Sequence, residues 1–138
     1  MNKILKMLLA FLCFSGTACG QKNYTDLDVA DFEQYIGQNK DSGVQVVDVR
    51  TAGEFAEGTV PGAVLIDLKD AGFAEKVEAA LDKAKPVAVF CRSGRRSAAA
   101  AEILIGLGFK TVVNLNGGFL AWQEAGKAVA MPKSEGGN

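Results

Sequence analysis

Residues 86–104 read PVAVFCRSGRRSAAAAEIL and concentrate the residue types from which a reaction could be built. An apolar run enters Cys91, a polar stretch follows from Arg92 to Ser97, and an alanine-rich helical pattern comes next. A thiol at such a junction sits where the backbone N–H groups of a loop and the N-terminus of a helix both favour negative charge. Its pKa should fall, and the thiolate is the nucleophilic form. Three of the chain's four arginines, Arg92, Arg95 and Arg96, lie in the same stretch. Their forked donors suit planar, multi-oxygen anions. The chain has no histidine, which excludes Ser-His and Cys-His pairs and removes the commonest metal ligand. A cysteine activated by the field of its own loop is the chemistry that this pattern predicts.

The elements that must hold this loop can be read on either side of it. Asp28 is placed to cap a helix whose apolar positions are Val29, Phe32 and Ile36, ending before Gly37. Residues 44–49 form a β-branched run typical of a buried strand, and 63–66 a second, shorter one. Residues 73–81 read as an amphipathic helix, 86–90 as a third strand, and 97–107 as a helix stopped by Gly108. A strand over 111–115 and a short helix over 119–124 complete the pattern. Alternating strands and helices predict one α/β domain with a mostly parallel sheet and helices on both faces. Length allows no second ordinary domain, and a formal net charge of −1 gives no reason to expect a nucleic acid partner.

The first residues differ in character. Lys3 and Lys6 precede a short apolar run over 8–14, and small residues then lead to Cys19. This is the layout of a bacterial secretory signal, and the run is well short of the roughly 20 residues of a membrane span. Gly16-Thr17-Ala18-Cys19 resembles a lipobox, with Gly16 in place of the usual aliphatic residue. The expected organisation is a signal peptide over 1–18, a lipidated tether over 19–23, a folded domain over 24–128 and a disordered tail over 129–138. Cleavage would remove Cys13 and acylate Cys19, leaving Cys91 as the only thiol of the mature chain. The expected location is the periplasmic side of a bacterial cell envelope, with the membrane reached through the lipid alone.

Three segments together resemble the rhodanese family. The Cys91 loop is similar to that family's active-site loop. Residues 46–66, VVDVRTAGEFAEGTVPGAVLI, resemble its N-terminal signature through Asp48, Arg50, Glu54, Gly58, Pro61, Gly62 and Ala63. Residues 115–126, LNGGFLAWQEAG, resemble its C-terminal signature through Gly117, Gly118 and Trp122. Thr59 stands where the family usually has histidine, a departure that bears on local packing and on loop or partner contacts. Asp48 and Arg50 are read as structural support for the loops, with Glu54 in the same polar cluster. Trp122 is read as core, and Gly117 with Gly118 as the residues of a tight turn.

The resemblance implies a rhodanese-like fold and a two-step sulfurtransferase reaction that needs neither metal nor cofactor. Cys91 would take a sulfane sulfur from a small sulfur-containing anion such as thiosulfate and hold it as a persulfide. A thiol, cyanide or a protein cysteine would then accept it. Backbone N–H groups from Arg92 through Ser93, Gly94, Arg95 and Arg96 to Ser97 would stabilise the terminal sulfur, and a monomer would suffice. Two alternatives use the same fold: a persulfide carrier or thiol-redox partner for exported proteins, and a non-catalytic binding module. A cysteine phosphatase or arsenate reductase would need its phosphate-clamping arginine at position 97. That residue is Ser97, and Arg96 comes one place early.

Overall fold

The computed structural model describes residues 22–132. Five strands form one sheet: β1 (Thr25–Leu27), β2 (Gln45–Asp48), β3 (Val64–Leu65), β4 (Val87–Phe90) and β5 (Val112–Leu115). Their order is β1-β5-β4-β2-β3, and every pairing is parallel. Five helices alternate with them: α1 (Val29–Gln38), α2 (Ala52–Ala56), α3 (Phe73–Ala80), α4 (Arg95–Gly106) and α5 (Gly118–Glu124).

The inner strands β2, β4 and β5 are buried on both sides, which explains why they are largely runs of Val, Ala, Phe and Leu instead of apolar–polar alternations. Val47, Val49, Val87, Val89 and Cys91 join Phe73, Val77, Ala100, Ala101 and Leu104, from α3 and α4, on one face. Val46, Ala88, Phe90, Val113 and Leu115 join Phe32, Phe119 and Trp122, from α1 and α5, on the other. Trp122 meets Phe32 edge to face at 6.3 Å, and its Nε1–H donates to the Ala128 carbonyl at 2.7 Å. The α/β class with helices on both faces is therefore as expected.

Local differences have local causes. The strand β1 is too short and too exposed to show in an apolar pattern; it forms by pairing with β5 from Thr25↔Val113 to Leu27↔Leu115. The helix α2 buries no residue, and a capping box of Thr51 and Glu54 starts it. The helix α1 passes through Gly37 to Gln38. Asp28 occupies its N-cap position without a side-chain capping bond, and its carboxylate accepts from Asn116 Nδ2 at 3.0 Å instead. The helix α4 starts at Arg95, two residues earlier than expected, because Gly94 takes φ 106° and turns the chain directly into the helix. The expected disorder from 129 onward is corrected for the described part of the tail. Ala130 forms an antiparallel bridge with Thr59, with N–H···O distances of 2.9 and 2.8 Å.

The neighbours β2 and β4 pair in register from Gln45↔Val87 to Asp48↔Phe90. After β2 the chain leaves toward β3 at one edge; after β4 it leaves toward β5 on the other side. In open parallel sheets the crevice outside the carboxyl ends of two such strands is where ligands bind. Cys91 follows the end of β4, and Asp48 and Arg50 mark the end of β2.

Candidate active site

The strand β4 is wholly buried, so Cys91 enters the crevice with little freedom; the residue is 1% exposed. Gly94 then reverses the chain, and the first backbone bond of α4 is Ala98 N–H to the Gly94 carbonyl at 3.1 Å. The N–H groups ahead of Ala98 have no carbonyl within the helix to bond. The sulfur of Cys91 takes up this shortage: Gly94 N–H donates to Sγ at 3.0 Å and the Ser97 hydroxyl at 3.4 Å. Burial alone would raise the thiol pKa. The Ser97 hydroxyl and the backbone N–H groups of Ser97, Gly94 and Ser93 outweigh it, and the pKa is lowered. Ser97 is itself fully buried, so its hydroxyl meets the sulfur without competition from bulk water.

A second contact keeps this cradle open. At the start of α5, Phe119 N–H donates to the Cys91 carbonyl at 2.8 Å and Leu120 N–H to the Arg92 carbonyl at 3.1 Å. Those two carbonyls are held on the side of α5, while the loop's donors face the sulfur. The approach is close enough to require glycine. A Cβ on Gly118, whose φ is 63°, would lie 2.3 Å from the Arg92 oxygen and 2.6 Å from the Ser93 nitrogen. Gly118, expected only to allow a tight turn, also makes this clamp, whose partners are far apart in the chain and leave no local signal.

Two ion pairs brace the crevice. Asp48 and Arg50 are buried, at 0% and 4% exposure. The Asp48 carboxylate accepts from Arg50 Nε at 3.0 Å, Arg50 Nη2 at 2.8 Å, Arg50 N–H at 2.9 Å and the Thr59 hydroxyl at 2.9 Å. Arg50 also donates to the Gly58 carbonyl at 2.7 Å and stacks 4.4 Å from the centre of the Phe119 ring. A buried ion pair needs this degree of satisfaction to be tolerated. Thr59, where the family usually has histidine, is 2% exposed and supplies one of the bonds.

The other pair joins α2 to α4. Arg96 donates in fork geometry to Glu54, Nη1 to Oε1 at 2.8 Å and Nη2 to Oε2 at 3.0 Å. Glu54 also accepts from the Thr51 N–H and hydroxyl. The Arg96 hydrogen bonds, opposed by some burial and helped by Thr51, hold its carboxyl at about 2. The Arg96 guanidinium is therefore committed to Glu54, so its fork, one of the three that the sequence offers to an anion, is taken up within the protein. Arg92 and Arg95 are exposed.

The structure thus brings Cys91, Arg92, Ser93, Gly94, Arg95, Arg96 and Ser97 to one end of the sheet, with Asp48 and Arg50 beside them. Cys19 lies outside the described residues. A cavity of about 470 Å³ opens next to the loop, walled by Arg50, Glu54, Glu57, Arg92, Phe119 and Leu120 among others. Glu57 carried no signal in the sequence.

The rhodanese-like domain family matches residues 28–125. A sulfurtransferase of Allochromatium vinosum is 31% identical over 78% of this chain and 96% of its own length. A thiosulfate sulfurtransferase of Shewanella oneidensis is 36% identical over 67% of this chain and 88% of its own. Among solved structures, a rhodanese-related protein of Thermoplasma volcanium superposes with a TM-score of 0.65. It is 32% identical and matches 79% of this chain and all of its own. With the family's span reaching from the cap of α1 past the end of α5, the chain belongs to the rhodanese-like domain family, and its curated relatives include sulfurtransferases.

Proposed function

We propose that this protein is a sulfurtransferase that carries sulfane sulfur on Cys91. The observation that supports this reading best is the ring of donors around Sγ: Gly94 N–H at 3.0 Å, the Ser97 hydroxyl at 3.4 Å, and the N–H groups of Ser93 and Ser97 that lower the thiol pKa. In the first step the Cys91 thiolate attacks the outer sulfur of thiosulfate. The S–S bond of the donor breaks, and sulfite leaves with the bonding pair. The persulfide that remains on Cys91 is anionic, and the same donors stabilise its charge. In the second step a thiophilic acceptor attacks the outer sulfur, and the electron pair of the broken bond returns to Cys91. The sequence is covalent and ping-pong, and it uses no redox partner. Arg92 and Arg95, exposed at the loop, attract the donor's oxyanion end. The phosphatase alternative is disfavoured because Arg96 is bound to Glu54 and position 97 carries a hydroxyl.

Thiocyanate formation from thiosulfate and cyanide tests the reading. Wild-type protein should turn over, with parallel lines when one substrate is varied at several levels of the other, and Cys91→Ser should abolish the activity. Wild-type turnover by Cys91→Ser would refute it.

The same proposal places the protein on the periplasmic side of a bacterial envelope, tethered through lipidated Cys19. Supporting this are Lys3, Lys6, the short apolar run and Gly16-Thr17-Ala18-Cys19. Fatty-acid labelling in the native host should be lost in Cys19→Ala. Recovery of mature protein that still carries residues 1–18 would overturn it.

A further inference from the structure

The four charged side chains walling the cavity beside the loop are not equivalent. Arg50 is neutralised by Asp48, and Glu54 by Arg96. Arg92 and Glu57 are exposed, and neither has an ion-pair partner among the described residues. The cavity therefore offers one uncommitted cation and one uncommitted anion. Phe119 and Leu120 supply an apolar wall between helix and loop. At about 470 Å³ it falls within the usual size of small-molecule sites, about 300–1,000 Å³.

Its position relative to the Cys91 loop is fixed by the backbone. Arg92 is the residue after Cys91, and Phe119 is bonded through its N–H to the Cys91 carbonyl. Arg92 is thus common to the Cys91 loop and to the cavity wall. A doubly negative donor such as thiosulfate gains from Arg92 but is repelled by Glu57, so a site built for the donor alone has no use for that carboxylate. A molecule carrying both a carboxylate and an ammonium group uses both walls.

We propose that this cavity is the acceptor subsite and that it selects small zwitterionic thiols of the α-amino-acid type. Arg92 binds the carboxylate and Glu57 the ammonium group. The inference rests on the Cys91 persulfide proposed above and names its acceptor class. The acceptor enters as thiolate and attacks the outer sulfur of the Cys91 persulfide. A new S–S bond forms on the acceptor, the old one breaks, its electron pair returns to Cys91 as thiolate, and the outer sulfur leaves on the acceptor with its negative charge. No oxidant or reductant is consumed. Glu57 is thus a specificity-determining residue, and Arg92 serves donor and acceptor in turn, as a ping-pong site allows.

The test uses the full-length protein loaded with thiosulfate, freed of excess donor and mixed with one of three thiols: cysteine, cysteamine, which lacks the carboxylate, or 3-mercaptopropionate, which lacks the ammonium group. Single-turnover release of sulfur is measured for wild type, Glu57→Gln and Arg92→Ala, each rate taken relative to wild type with the same thiol. Exposed ion pairs are worth up to about fivefold in affinity. Glu57→Gln should slow cysteine and cysteamine by about threefold and speed 3-mercaptopropionate, whose carboxylate it no longer repels. Arg92→Ala should slow cysteine and 3-mercaptopropionate and leave cysteamine faster than before. Equal effects on all three thiols, or none, would overturn the subsite while leaving the persulfide reading in place. Failure to load sulfur at all would overturn both.

Discussion

Gly118→Ala tests whether the clamp between α5 and the Cys91 loop holds the site. The added Cβ would lie 2.3, 2.4 and 2.6 Å from the oxygen and carbon of Arg92 and the nitrogen of Ser93. All three are backbone atoms, so no side chain can swing away, and the helix must move off the loop. That movement breaks the bonds from Phe119 and Leu120 to the Cys91 and Arg92 carbonyls. Two such bonds at about 1 kcal/mol each, with about 1 kcal/mol for alanine at positive φ, give a loss of roughly 3 kcal/mol. A domain of this size commonly has about 5–15 kcal/mol in total, so the variant should fold but unfold at much lower urea. The freed carbonyls let the peptide planes of the loop rotate, and kcat/KM for thiosulfate should drop at least about tenfold, about 1.4 kcal/mol of barrier. Gly126→Ala is the control: its φ is also positive, at 70°, but nothing lies within 4 Å of its Cβ position. It should lose about 1 kcal/mol and keep its activity. If urea midpoints and rates of the two variants matched, the close approach would not be what requires glycine at 118, and the clamp would have no part in catalysis.

Other perturbations separate the remaining contributions. Ser97→Ala removes the hydroxyl donor 3.4 Å from Sγ; the pH midpoint of Cys91 alkylation should rise, and an unmoved midpoint would assign the lowered pKa to the backbone alone. Glu54→Gln cuts the link from α2 to α4. Because the folded Glu54 carboxyl titrates at about 2 against an ordinary 4.5, its contribution is fully present above that ordinary value and disappears as pH falls toward the folded one. With both partners about a quarter exposed, solvent screening limits the pair to about 1 kcal/mol. Urea midpoints of wild type and variant should therefore differ near neutrality and converge in acid; a difference that persisted in acid would contradict the ion-pair origin. Arg95→Ala should raise KM for thiosulfate more than it lowers kcat, the pattern of lost ground-state binding. The effect should shrink in high salt, since screening acts over about 8 Å at physiological ionic strength, and a salt-independent effect would argue for a structural role.

The strand-to-loop-to-helix passage through Cys91 was legible because each part leaves a local mark: an apolar run into the thiol, three arginines and a glycine in the loop, and an alanine-rich helix behind it. Burial on both faces made β2, β4 and β5 plain as apolar runs. The elements that escaped notice are those stabilised from a distance. Only pairing with β5 makes Thr25–Leu27 a strand, and Asn114 Nδ2 reinforces it by donating to Asp26 at 2.9 Å. The helix α2 had a readable signal in Thr51 and Glu54, a capping box spacing, but too few residues for a periodic apolar face. The commitment of Arg96 to Glu54 joins residues 42 positions apart, and no spacing rule reaches that far. The same holds for Gly118 against Arg92, and for Glu57, which acquires meaning only from the cavity it faces.

The central claim is that Cys91 carries sulfur, and intact-protein mass spectrometry tests it most directly. Full-length protein incubated with thiosulfate and desalted should gain the mass of one sulfur atom, located on the peptide containing Cys91. The gain should vanish on adding cyanide, with thiocyanate released in equal amount, as a covalent intermediate requires. Turnover of thiosulfate and cyanide with no sulfur ever found on Cys91, or an adduct that cyanide does not remove, would contradict the account.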